Sequence, residues 1–192
     1  MTSIYKACKQ TKKILVVDIY VATVLRKLSK FAGIPYPSAS FKDMRVIYPQ
    51  YLTGKLFANG EKEIVFQSQP YKITKDEISS QPDKIVMLVR PSLQKELEYI
   101  PGIEGGNIIN SMWDGYLKKP YTIKFIEYLQ NRNFTLLQIH TSGHADVETL
   151  KQMVNVIKPK QIVPIHTFNG SDYQQHFSQT VIEMKDAETR LV

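Results

Sequence analysis

The sequence predicts a three-layer α/β fold built on a mostly parallel sheet, and three observations carry that prediction. Apolar runs of strand length recur along the 192 residues, helical spacing follows several of them, and the last third sets strand, helix and strand in succession. A chain of this length with 43% hydrophobic residues can bury one good core, shared between one domain or two small ones.

The first unit begins at Lys13-Ile14-Leu15-Val16-Val17-Asp18, a strand that gives way to helical spacing at Val21, Val24, Leu25 and Leu28. Asp18 suits the N-cap, and Gly33 followed by Pro35 suits the stop. Met44 to Tyr48, ended by Pro49, reads as a second strand, and Lys84 to Val89 as a third. Between them Thr74-Lys75-Asp76-Glu77 has the spacing of a capping box. Gly102, Gly105 and Gly106 mark a loop before a fourth strand, Asn107 to Asn110, which delivers Ser111 at its end. Phe134 to Ile139 is a strand ending at His140. Thr141-Ser142-Gly143-His144-Ala145 is a tight turn into a helix with Asp146 as N-cap and Leu150, Met153, Val154 and Ile157 on one face. Lys158-Pro159 closes that helix, and Gln161 to Ile165 is the return strand, ending at His166. Together they form an expected βαβ unit, with Pro164 the awkward residue because proline cannot donate to a strand ladder.

Charge and composition narrow the function classes. The formal net charge is +7, and residues 1–32 hold seven cations against one carboxylate, Asp18, whereas residues 121–192 hold seven of each sign. The excess lies where it can meet phosphates, although the same residues also read as a solvated helix face with a frayed terminus. The lone Cys8 excludes an internal disulfide, and no CxxC pair offers a zinc or redox site. No run of eighteen apolar residues suggests a membrane span, so no membrane partner is expected and a cytoplasmic location is the default.

In a parallel sheet, functional groups gather outside the carboxyl ends of the strands. His140 and His166 fall at two such ends, and His144 falls near a helix N-terminus on the loop between them, so three of four histidines converge on one predicted edge. Neutral imidazoles bind zinc, and a helix N-terminus binds phosphate oxygens, so the edge suits a metal or phosphate site. Each histidine taken singly reads more readily as a structural group, and His176 has no such company.

The arrangement His140-Thr141-Ser142-Gly143-His144-Ala145, a helix of about a dozen residues, Lys158-Pro159 and then Ile165-His166 resembles the closing motifs of β-CASP metallo-β-lactamase-fold nucleases, the group containing ribonuclease J and the endonuclease that cleaves pre-messenger RNA 3′ ends. The resemblance implies that His144 contacts the scissile phosphate or supports the metal site, that His140 lines the same site, and that His166 is a zinc ligand. It implies that Ser142, Gly143 and Ser111 face substrate, the last with an ordinary loop packing Trp113 as its alternative. Residues 1–107 are then a β-CASP-like lobe, which Val17 to Ala22 resembles at its opening, and residues 108–192 the C-terminal part of the lactamase domain. Zinc is the implied cofactor and RNA the favoured substrate.

The departure from the family pattern is the lack of the His-x-His-x-Asp-His metal motif, since no histidine precedes residue 140. Asp114, Asp146 and Asp172 are available carboxylates that spacing does not separate. The expectation is a partial hydrolase, inactive without a companion chain that supplies the N-terminal metal-binding half. A non-catalytic α/β module binding RNA or nucleotide phosphate is the alternative, and a small phosphoesterase using a single zinc is a third reading.

Overall fold

A computed structural model describes residues 1–139, 145–165 and 167–189. The chain divides into two compact units, residues 1–140 and 141–192. The first carries α1 (Thr2–Gln10), β1 (Ile14–Asp18), α2 (Ile19–Leu28), β2 (Met44–Ile47), α3 (Gln50–Ala58), α4 (Lys62–Ser68), α5 (Lys75–Ser79), β3 (Ile85–Met87), α6 (Gln94–Glu98), β4 (Gly106–Asn110), α7 (Pro120–Gln130) and β5 (Phe134–Gln138). The second carries α8 (Val147–Ile157), β6 (Gln161–Ile162), α9 (Tyr173–His176) and β7 (Thr180–Val181). None of the described helices is long and apolar enough to cross a membrane.

Every strand pairing among the described residues is parallel, which fits the expected α/β class, but the strands form three small sheets rather than one. They are β2-β1-β3, β4-β5 and β6-β7. The first lies wholly within residues 1–107, while the compact units part at residue 140.

β1 is buried on both faces, which is why its sequence is a continuous apolar run rather than an alternation. Leu15 and Val17 pack with Tyr5 and Cys8 of α1, Ile19, Ala22 and Leu25 of α2, and Val65 of α4. Val16 joins the opposite cluster, with Ile78 of α5, Leu97 of α6, Ile108 of β4, and Phe125 and Leu129 of α7. Each such aliphatic contributes roughly 1.5–3 kcal/mol by leaving water. Burial also raises the pKa of the Cys8 thiol, leaving it a small core group rather than a nucleophile.

The local signals act as expected. The Val21 amide donates to Asp18 Oδ1 at 3.0 Å, so Asp18 caps α2. Both halves of the capping box form at α5: the Glu77 amide donates to Thr74 Oγ1 at 3.1 Å, and the Thr74 amide donates to Glu77 Oε2 at 2.7 Å.

The last expected unit differs. The return strand stops at Ile162 rather than Ile165, two residues short of Pro164, whose ring nitrogen has no hydrogen to donate. Within the first unit β5 lies beside β4, and within the second β6 lies beside β7.

Candidate functional site

β4 and β5 run parallel with Asn110 opposite Gln138, so both strands deliver an amide side chain at the carboxyl edge of their sheet. The two amides are joined: Asn110 Nδ2 donates to Gln138 Oε1 at 2.7 Å, and both donate to the Met112 carbonyl, at 3.3 and 3.1 Å. Gln138 Nε2 also donates to Asp114 Oδ1 at 2.5 Å. The Ile139 amide closes the edge by donating to the Asn110 carbonyl at 2.9 Å. This knot fixes the loop that carries Ser111, which is exposed, directly outside the strand ends. In the same loop Trp113 packs edge-on against Tyr116 at 6.1 Å. Gly115 permits that fold, because a Cβ there would stand 2.1 Å from the Trp113 ring.

Beside the knot lies a shallow open depression lined by Asp114, Leu117, Lys118, Ile123, Leu136 and Gln138. Ile123 is carried by α7, whose Phe125 and Leu129 bury against the inner face of β4 and β5. Arg132 locks the turn after α7. It donates to the Leu97 carbonyl and the Tyr128 hydroxyl at 3.0 and 2.8 Å and pairs with Glu104, whose carboxyl pKa is lowered chiefly by that hydrogen bond.

In the second unit, Asp146 Oδ1 accepts the Thr149 amide at 2.7 Å and caps α8, and this bond lowers the Asp146 pKa. Asp146 therefore spends an oxygen on the helix that begins at Val147. Asp172 stands at the start of α9, and Asp114 is engaged by Gln138. Of the three carboxylates that spacing left equal, Asp146 and Asp114 thus have local duties, while Asp172 makes no side-chain bond to the helix it precedes. His176, at the end of α9, is exposed. The remaining residues expected at the site, His140, Ser142, Gly143, His144 and His166, lie outside the described residues.

Among the described residues no three His, Cys, Asp or Glu side chains gather as a metal would need. A zinc centre made by this chain would have to draw on those histidines, and the sequence offers no further histidine upstream of them. Three imidazoles match in number the protein ligands of a single zinc, but without a His-x-His-x-Asp-His motif they do not supply the donors of a two-metal site.

Sequence reading missed the Asn110 and Gln138 pair. The signal was present, two amides each ending an apolar run, but it acquires meaning only once the strands are known to be neighbours in register.

Residues 125–188 match the RMMBL family model, described as the Zn-dependent metallo-hydrolase RNA specificity domain. No curated protein and no solved structure matches the chain. The matched block, about a third of the chain, begins in α7 and holds β5, α8, β6, α9, β7 and all four histidines. The similarity extends over these residues alone, and both zinc and RNA enter through the family's description.

Proposed function

We propose that this chain is the C-terminal portion of a zinc-dependent phosphodiester hydrolase of the β-CASP type acting on RNA, residues 1–107 forming the β-CASP-like lobe and residues 108–192 the closing part of the lactamase domain. The observation that carries the reading is the family match, which takes in the whole stretch from His140 through His144 to His166. In this reading His166 offers an imidazole to zinc. His144 and His140 meet phosphate charge, and Ser142, Gly143 and the Ser111 loop hold the RNA backbone. The knot of Asn110, Gln138 and Asp114 supports the assignment of Ser111, because it prevents the loop from collapsing over the strand ends.

The donor set leaves the metal site to be completed by a companion chain, so the protein by itself binds RNA without cutting it. Metal content and RNA binding, measured together, test this. The purified chain is expected to hold well under one equivalent of zinc and to bind a fluorescein-labelled single-stranded RNA, with His144→Ala weakening binding several-fold. Stoichiometric zinc lost in His166→Ala would replace the partial-hydrolase reading with a single-metal enzyme. Equal affinity in wild type, His144→Ala and His166→Ala would remove the histidine edge from the site.

A non-catalytic RNA or nucleotide-phosphate module is the second reading, favoured by the excess of cations in residues 1–32, seven against one carboxylate. It requires RNA affinity to be indifferent to a chelator even when a zinc-bearing companion is present.

A further inference from the structure

Helices α2, α3 and α4 pack on one another, and the outward faces of α3 and α4 are occupied by aromatic rings and cations in alternation. On α3, Leu52 and Leu56 turn inward to the core cluster, while Tyr51, Lys55 and Phe57 face out. Tyr51 is 71% exposed, with the Lys55 ammonium 5.4 Å from its ring centre. On α4, Ile64 and Val65 turn inward, while Lys62 and Phe66 lie one helical turn apart on the exposed side. Phe57 and Phe66 meet edge to face at 6.4 Å across the two helices and stay 49% and 61% exposed. At the α2 border Arg26 donates to Gln67 Oε1 at 2.6 Å and to its carbonyl at 3.1 Å, which holds the guanidinium against α4.

These rings do nothing for the core, because the inward residues of both helices already fill it. Lys55, Lys62 and Arg26 border the rings, and the carboxylates of α4 are Glu61 and Glu63, where the helix begins and negative charge suits the helix dipole. Flat π faces within a cationic surface complement one chemistry: bases that stack while the phosphates beside them are neutralised.

We propose that the outer face of α3 and α4, bordered by Arg26, is a single-stranded RNA surface on which bases stack upon Tyr51, Phe57 and Phe66 and phosphates meet Lys55, Lys62 and Arg26. It rests on the RNA reading above but lies outside residues 125–188, so it is a contact separate from the matched block. Stacking is tolerant of base identity, so this surface grips RNA rather than selecting its sequence.

The test is fluorescence anisotropy with a labelled oligouridine RNA over a range of salt concentrations, using the whole chain. Tyr51→Ala, and Phe57→Ala with Phe66→Ala, are expected to weaken binding roughly tenfold with the salt slope unchanged, whereas Lys55→Glu with Lys62→Glu lowers the slope. Circular dichroism and melting temperature identify folded variants. A Phe57→Tyr, Phe66→Tyr variant keeps the stacking faces and is expected to restore affinity. A 4-thiouridine RNA should cross-link to peptides from residues 50–68. Wild-type affinity in folded stacking variants, with His144→Ala still weakening binding, overturns the surface and spares the functional reading. The same wild-type affinity with loss of concentration-dependent self-association makes the face a protein interface and equally overturns it. Absence of RNA binding by the wild-type chain overturns both.

Discussion

With no solvent exposure, the Asp18 carboxylate must satisfy itself inside the protein, and it uses both oxygens. One accepts the Val21 amide and starts α2, and the other meets the Arg90 guanidinium at 2.6 Å beyond the end of β3. Arg90 is held in turn by Ser92 Oγ at 3.1 Å and by the Tyr20 ring, 5.5 Å from its guanidinium carbon. A single side chain thus ties the end of β1 to a helix start and to a neighbouring strand. Asp18→Ala is expected to cost about 2–4 kcal/mol, since it removes a helix cap and strands a guanidinium. Asp18→Asn keeps an acceptor for the cap and should cost less than half as much. Urea denaturation of the two variants measures the difference, and equal losses would mean that the cap contributes nothing beyond the ion pair.

At the scale of the element, α8 shows how a local signal acquires a pH dependence. The folded-state pKa of Asp146 is lowered because its ionised carboxylate accepts the Thr149 amide. A group with a depressed folded pKa stabilises at pH values above its unfolded pKa, and that contribution disappears as the pH falls through the folded value. Protection of the Thr149 amide against hydrogen exchange, corrected for intrinsic rate, is therefore expected to be full at neutral pH and to fall on acidification below the ordinary carboxylate range. Asp146→Asn, which caps without titrating, should flatten the profile, and an unchanged profile would assign the effect elsewhere. Glu77 follows the same sign at α5, its pKa lowered first by the Thr74 amide. Both caps were legible in the sequence, because a cap joins residues three positions apart and needs nothing from the rest of the chain. The length of β6 was not, because Pro164 terminates a strand only in relation to the partner it would have faced.

The first unit leaves part of its own sheet surface uncovered. On β4 and β5, Ile108 and Leu136 face the α7 cluster, whereas Ile109, its register partner Leu137, and Ile139 are 59%, 39% and 53% exposed. An apolar sheet face of this kind favours association. Sedimentation is expected to show concentration-dependent self-association that Ile109→Lys or Leu137→Glu shifts to several-fold higher concentration, and a monomer at all concentrations would show the face to be inert. The sequence by itself determined the α/β class, β1 with α2, the capping box, β4, β5, α8 and the caps Asp18 and Asp146, since each follows from periodicity or from contacts within one turn. It also placed three histidines in the block that matches an RNA-directed metallo-hydrolase domain. Only the tertiary structure decided that the strands fall into three sheets, that Asn110 meets Gln138, that Arg90 reaches Asp18, and that the rings of α3 and α4 face outward together. Those facts depend on which distant segments become neighbours, and that choice is made by competition among all the apolar faces at once, not by any local run of residues.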